Sequence, residues 1–321
     1  MTNLLNDAIN LEASDIHIYP NSKNDSRIRF RILGDLQDNM TLSNYEIESL
    51  ISLLKFNANI DISMNKTPQS GRFEYEYNDK KYYLRISTLP LNELYEGCVI
   101  RIFTDELAEV EYSIFEEDRI KIADLSKYTN GLIIFSGPTG SGKSTSMYKL
   151  ALDIARANKQ LISIEDPVEK NFDDFIQMQV NDKAGISYDN ALKSILRCDP
   201  DAIMVGEIRD KSTAKYVITS SYSGHLVLST LHAEDGIGVI NRLKDLGVGQ
   251  EDLKQTLLAV ISQRLVKVGD RRELVTEFLT KDHIKTYIND KEIKFETLRE
   301  KFQRACDNGT IAKEEKEKWG Y

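Results

Sequence analysis

Leu132-Ile133-Ile134-Phe135-Ser136-Gly137-Pro138-Thr139-Gly140-Ser141-Gly142-Lys143-Ser144 reads as a short β-branched, apolar strand running straight into a Gly-rich loop. The loop carries every residue that phosphate binding needs. Glycines let backbone N–H groups turn inward around an anion, Lys143 reaches the β and γ phosphates, and Ser144 offers a hydroxyl to Mg²⁺. The helix expected to follow, Ser146 to Ala157, adds the positive end of its dipole. A bound nucleoside triphosphate, ATP with Mg²⁺, is therefore expected, held by Gly137, Pro138, Thr139, Gly140, Ser141, Gly142, Lys143, Ser144 and Thr145.

Outward from this loop the pattern is strand alternating with helix. Leu132 to Ser136, Leu161 to Ile164, Ala202 to Val205 and Leu226 to Thr230 are short apolar runs separated by helical segments, the signature of a parallel sheet covered on both faces. Before residue 104 the pattern differs. Ile16 and Ile18, then Ile28, Phe30 and Ile32, alternate with polar residues, and Leu33-Gly34-Asp35 supplies a turn. Arg72 to Tyr77 and Lys81 to Ser87 flank Asn78-Asp79 as a hairpin, and Val99 to Phe103 makes a further strand. The expected organisation is a small α+β domain over 1–104, an acidic linker over 105–118, an α/β nucleotide-binding domain over 119–280 and peripheral helices over 281–321. In the last part Phe295, Leu298 and Phe302 have helical spacing, with disorder near Lys313 to Lys318 as the alternative.

With 321 residues, two domains are the natural division. A net charge of −9 argues against a surface that grips nucleic acid throughout, so no direct nucleic-acid partner is expected. Cys98, Cys198 and Cys306 are scattered without a CxxC pair, which indicates neither a zinc knuckle nor a disulfide framework and fits a reducing compartment. No apolar run approaches the length that spans a bilayer, so any work at a membrane would be done by docking, from the cytoplasmic side.

Acids at strand ends are the candidates for chemistry. Leu161 to Ile164 ends on Glu165-Asp166-Pro167, where the proline forces Asp166 out of helix; Ala202 to Val205 ends on Gly206-Glu207. Strand ends on one edge of an open α/β sheet form the ligand crevice, so Glu165 and Glu207 are both expected to face the phosphates. One would position Mg²⁺ through water and the other would polarise the attacking water; the sequence leaves open which acid is the base, with Glu207 near the metal and Glu165 on the water as the first of the two assignments. His225 and His232 bracket the run Leu226-Val227-Leu228, and a seven-residue strand holds its ends roughly 23 Å apart, too far to share a metal without a sharp bend. Each is either a structural polar group or, for His232 at the exit of the strand, a sensor of the γ-phosphate. Arg72, Arg85 and Arg101 are either a solvated strand face or arginine fingers supplied from outside the P-loop domain. Arg209 is expected to form only a local salt bridge with Glu207.

Read in order, these segments resemble the secretion-superfamily ATPases of type II secretion, type IV pili and DNA-uptake pseudopili. The shared elements are Ala13 to His17, Ile28 to Arg31, Gln69 to Arg72, Arg85 to Pro90 and Gly137 to Thr145. They continue with Ile164 to Glu169, Leu196 to Asp201, Val205 to Asp210, Ser223 to His232 and Gln263 to Leu265. The resemblance implies a RecA-like ATPase domain preceded by a PAS-like domain, assembled as a homo-hexamer. It also implies ATP between the two domains, so that Arg72, Arg85 and Arg101 reach phosphates, and phosphate sensing by both His225 and His232. Val266 to Glu273 contains no cysteine where larger relatives carry a four-cysteine zinc module, and the chain starts directly at the Ala-Ser-Asp element. It is in these respects most similar to the competence ATPases of Gram-positive bacteria, which act with a polytopic membrane platform protein. Type II secretion and pilus retraction are the alternatives within the family; a nucleic-acid motor and a non-enzymatic nucleotide-dependent binding module are the alternatives outside it. One departure is Lys170 after Glu169, where the family commonly has an aromatic residue.

Overall fold

Apolar alternation and turn chemistry build the first of two compact units, Met1–Glu106 and Leu107–Tyr321. The computed structural model describes residues 1–21, 26–92, 95–104, 110–181 and 184–321. In the first unit α1 (Thr2–Asn10) precedes β1 (Asp15–Ile18), β2 (Ser26–Ile32) and β3 (Asp35–Leu42). Helix α2 (Asn44–Asn57) is followed by β4 (Gln69–Tyr77), β5 (Lys80–Pro90) and β6 (Glu96–Thr104). The strands form one antiparallel sheet in the order β3-β2-β1-β6-β5-β4. Two tight turns set its registers, and both use left-handed backbone: Leu33 and Gly34 at φ 50° and 95°, Asn78 and Asp79 at 51° and 57°. Ile16, Ile18, Ile28, Phe30, Leu84, Ile86 and Ile100 bury one sheet face against Leu4, Leu5 and Ala8 of α1 and Ile47, Ile51 and Leu54 of α2. Ser43 and Glu46 close a capping box at the start of α2.

The second unit holds α3 (Glu116–Asp124), β7 (Gly131–Ser136), α4 (Lys143–Arg156), β8 (Leu161–Glu165), β9 (Ile176–Gln179), α5 (Tyr188–Ile195) and β10 (Ala202–Val205). Next come α6 (Lys211–Tyr222), β11 (Leu226–Leu231), α7 (Gly236–Asp245) and α8 (Gln250–Thr256), then β12 (Leu257–Val268), β13 (Arg271–Thr280), α9 (Lys281–Ile288), α10 (Leu298–Asp307) and α11 (Lys313–Lys318). The sheet order is β13-β12-β7-β11-β10-β8-β9, parallel except for the β12–β13 hairpin. Its strands alternate their side chains between two cores. Leu132 and Ile134 pack with α5 to α9 on one face; Ile133 and Phe135 pack with α3 and α4 on the other.

Four segments are more sharply defined in the structure than in the sequence expectation. Helix α4 starts at Lys143 rather than Ser146, directly at the end of the loop. Of the acidic stretch expected to link the domains, residues 105–109 lie outside the described residues, while 112–118 is built into the second unit. There the buried Tyr112 hydroxyl donates to Asp153 at 2.8 Å, and buried Asp118 pairs with Lys301 of α10 at 2.5 Å. Lys313 to Lys318, the stretch with disorder as its alternative, is helix α11. The β12–β13 hairpin was not expected as strands. Ser262, Gln263, Arg264, Thr276 and Glu277 interrupt its apolar pattern, yet all five are buried.

Candidate functional site

Strand β7 delivers the chain into the Gly-rich loop at the carboxyl edge of the sheet, and α4 carries it away. Gly137, Gly140 and Gly142 have φ of 144°, 77° and 84°, a region L-residues other than glycine seldom enter. At Gly137 space also forbids a side chain: a Cβ there would lie 2.6 Å from both the Gln263 carbonyl oxygen and Ser141 Oγ. The first-turn N–H groups of α4, from Lys143 to Thr145, have no intrahelical acceptor and open onto this loop. Lys143 folds back over it, Nζ donating to the carbonyls of Gly137 at 2.9 Å and Pro138 at 2.8 Å. Burial pulls the Lys143 ammonium down to about 8, with nearby Glu207 acting to raise it and Arg264 to lower it.

Beneath the loop lies β12. Gln263 Nε2 donates to the Ser141 carbonyl at 2.8 Å, and Ser262 Oγ meets Ser136 Oγ at 2.7 Å. Neither Ser262 nor Gln263 fits an apolar period; of the two, only Gln263 carries a sequence signal, as the first residue of the Gln263 to Leu265 element.

The two acids differ sharply. Glu207 lies beyond the end of β10, its Oε2 2.9 Å from Arg209 Nε and its Oε1 3.5 Å from His232 Nε2; Arg209 reaches on to Asp166 at 3.2 Å. Glu165, at the end of β8, is 3% exposed. Its carboxylate accepts from the Tyr148 hydroxyl, from Ser163 Oγ at 2.6 Å and from Gln177 Nε2 at 3.0 Å. Glu207 thus lies by His232 and acts on the charge of Lys143, whereas Glu165 is engaged by three side-chain donors, one of them from α4. Tyr148, which sequence reasoning missed, is pushed far up by burial and by Glu165. Lys170, the departure from the family pattern, is buried with Nζ 5.2 Å from the centroid of Phe172, whose ring packs against Tyr148 at 5.1 Å.

The two histidines separate as strand geometry requires. His232 follows β11 at the P-loop edge, where Leu231 pairs with Ser136. His225 precedes β11 at the other end, beside Gly131, its Nδ1 3.2 Å from the Ser220 carbonyl. The structure does not bring His225 to this chain's P-loop, because the length of β11 intervenes.

In the first unit Arg72 pairs with Arg85, Arg85 with Arg101, and Arg101 with Asp15, which in turn pairs with Arg31. Residues directly opposite share a face, so all four arginines form one row across five strands. Asp15 sits among them, 2.9 Å from Arg101 Nε and 3.8 Å from Arg31 Nε.

Ser144 at the first turn of α4 and the carboxylate of Glu207 are hard oxygen donors of the kind Mg²⁺ takes when phosphate and water complete its shell. No group of three or more His, Cys, Asp or Glu that could hold a metal ion occurs among the described residues.

Residues 1–311 match the family of type II/IV secretion system proteins. The chain belongs to that family. As a type II/IV secretion system protein with an intact P-loop it is an ATPase. It is 34% identical to the competence protein ComGA of Bacillus subtilis over 99% of this chain and 96% of that one. It is 38% identical to the ComGA of Halalkalibacterium halodurans, over 82% and 76%. The type II secretion system protein E of Aeromonas hydrophila is 37% identical over 82% of this chain, which spans 53% of that longer protein. Among solved structures, the Legionella pneumophila ATPase DotB superposes with a TM-score of 0.77 at 21% identity, covering 99% of this chain and 94% of that one. The pilus retraction motor PilT with bound ADP gives 0.68 at 24%, covering 99% and 96%. At those identities the superpositions establish the two-domain α/β fold. Among the described residues no helix is long and apolar enough to cross a membrane.

Proposed function

We propose that this chain is a Mg²⁺-dependent ATPase that powers assembly of a competence pseudopilus, a pilus-like fibre for DNA uptake, as a homo-hexamer docked on a polytopic protein at the cytoplasmic face of the membrane. The observation that carries the competence assignment is the match to the Bacillus subtilis ComGA along 99% of this chain and 96% of that one, whereas the Aeromonas hydrophila type II secretion protein is matched over 53% of its length.

Gly137 to Thr145 hold the phosphates through backbone N–H groups, and Lys143 turns from its own loop carbonyls to the β and γ phosphates. Bound through Ser144 and, by way of water, Glu207, Mg²⁺ would neutralise charge on the phosphates. Glu207 orients the attacking water. Its carboxylate, which is only partly buried, its charge interaction with Lys143 and its Arg209 and His232 neighbours favour it over the buried Glu165 for that work. His232 senses the γ-phosphate, while Glu165 ties α4 to β8 through Tyr148. Arg72, Arg85 and Arg101 serve as arginine fingers; their place in one row across neighbouring strands, which sets three guanidinium groups on a single sheet face, supports that role. His225 lies too far along β11 to sense a phosphate at its own P-loop, and is assigned a structural bond to Ser220.

ATPase rate per subunit against protein concentration, with Lys143→Ala as the blank, tests this reading. Specific activity should climb as subunits assemble. A rate that stays flat and equal to the blank, with or without membranes carrying the platform protein, overturns the motor. Many-fold stimulation by DNA would point instead to a nucleic-acid motor.

A further inference from the structure

The segment after α11 returns to the nucleotide site. Trp319, the chain's one tryptophan, and Tyr321 cover the guanidinium of Arg264, whose Cζ lies 5.3 Å and 5.9 Å from the two ring centroids. Arg264 is 5% exposed. Its Nη1 donates to the Gln263 carbonyl at 3.1 Å and its Nη2 to the Glu234 carbonyl at 2.8 Å.

Those two carbonyls belong to the two sides of the site. The Gln263 carbonyl oxygen is the atom against which Gly137 packs, and the Gln263 side chain holds Ser141. Glu234 stands two residues after His232 in the turn between β11 and α7. One guanidinium therefore ties the support of the P-loop to the segment that follows the histidine. Desolvated cation–π contact is strong only where water is kept out, and the two rings are what keep it from Arg264. A planar, five-donor guanidinium spans two carbonyls while presenting its face to rings; an ammonium cannot.

We propose that Arg264 is a positioning residue that couples the P-loop to the His232 segment, and that Trp319 and Tyr321 form a clasp holding it in place. Nucleotide binding then moves the clasp, and the state of the clasp sets nucleotide affinity. The inference rests on nucleotide binding at this P-loop and is independent of any role in competence.

The test is an ADP titration of the full chain, following Trp319 emission and heat of binding in the same samples. Emission should change along the calorimetric isotherm. Arg264→Lys should lose the emission change and weaken ADP binding about tenfold, and the double replacement Trp319→Ala with Tyr321→Ala should weaken it comparably, with KM for ATP rising more than kcat falls. Trp319→Phe with Tyr321→Phe, which keeps two ring faces over Arg264, should restore most of the affinity, whereas Trp319→Leu with Tyr321→Leu, which fills the space without a π face, should not; equal recovery in both would overturn the clasp. Emission that stays flat while calorimetry saturates overturns the coupling, as does wild-type affinity in a folded double-alanine variant. Should that variant fail to fold, the wild-type emission titration decides alone. Absence of any ADP binding by the wild-type chain would instead overturn the nucleotide site, and the coupling with it.

Discussion

Glu165 ends β8 and Glu207 lies just beyond the neighbouring β10, yet their surroundings differ. Glu207→Gln should leave ADP binding within about threefold of wild type and reduce kcat by about a hundredfold or more, since a base or water-orienting group acts mainly in the transition state. Equal turnover in the variant and the wild type would remove Glu207 from the reaction. Glu165→Gln has a different signature. Its amide would confront the donors of Tyr148, Ser163 and Gln177, leaving at least one buried donor unpaired at a cost of about 1–3 kcal/mol, to be read as a lowered denaturation midpoint. Lys143 sets a pH dependence. Below about 8 it is charged and ready for phosphate; above that value burial strips its proton in the empty site, and binding must restore it. ADP affinity should be nearly level from pH 6.5 to 7.5 and then weaken by up to about tenfold per unit above 8, with proton uptake seen when calorimetry is repeated in buffers of different ionisation enthalpy.

Among the elements, the loop between β7 and α4 has the least tolerance. Gly137→Ala needs a disfavoured φ and drives a Cβ against the Gln263 backbone, so the loop must deform; nucleotide binding should be lost while the chain keeps its helical circular dichroism. Retained ADP affinity would show that β12 yields. A second junction joins 112–118 to α10. Lys301 pairs with Asp118 and Glu296, and its ammonium and the Arg304 guanidinium lie 4.8 Å and 3.9 Å from the Phe115 ring centroid. Lys301→Met removes the nearer of two cations from the buried Asp118 carboxylate and leaves it Lys121 at 3.9 Å, a loss of up to about 3–5 kcal/mol measurable by denaturant titration. A change below about 1 kcal/mol would mean that Lys121 and Thr276, whose hydroxyl donates to Asp118 at 3.3 Å, suffice.

For the whole molecule, conversion of hydrolysis into work requires that ATP favour one arrangement of the two units over another. Crystal structures with an ATP analogue and without nucleotide should differ in the interdomain angle; an unchanged angle would remove domain rotation as the source of force. Net charge of −9 and the arginine row on one sheet face coexist because the row is local. A general affinity for DNA is not expected of such a surface.

Much of this was legible in the residues alone, for a physical reason: each legible feature is local. The P-loop declares itself because glycine, lysine and serine are required at fixed spacing by backbone geometry and phosphate charge. The sheet strands β7, β8, β10 and β11 declare themselves because strands buried on both faces must be apolar throughout. The turns at Leu33-Gly34 and Asn78-Asp79 follow from left-handed backbone preferences. Tertiary structure decided the rest, wherever a residue's role depends on what folds against it. The β12–β13 hairpin hides its period because its buried polar side chains find their partners only in the fold, Gln263 at the Ser141 carbonyl, Thr276 at Asp118 and Glu277 at the Gly236 and Leu298 N–H groups. Glu165 and Glu207 look alike until Tyr148 and Gln177 close over one of them. Arg264 is dozens of residues from Trp319 and Tyr321 in a chain whose local pattern gives no reason to join them, and only the fold lays the rings over the guanidinium.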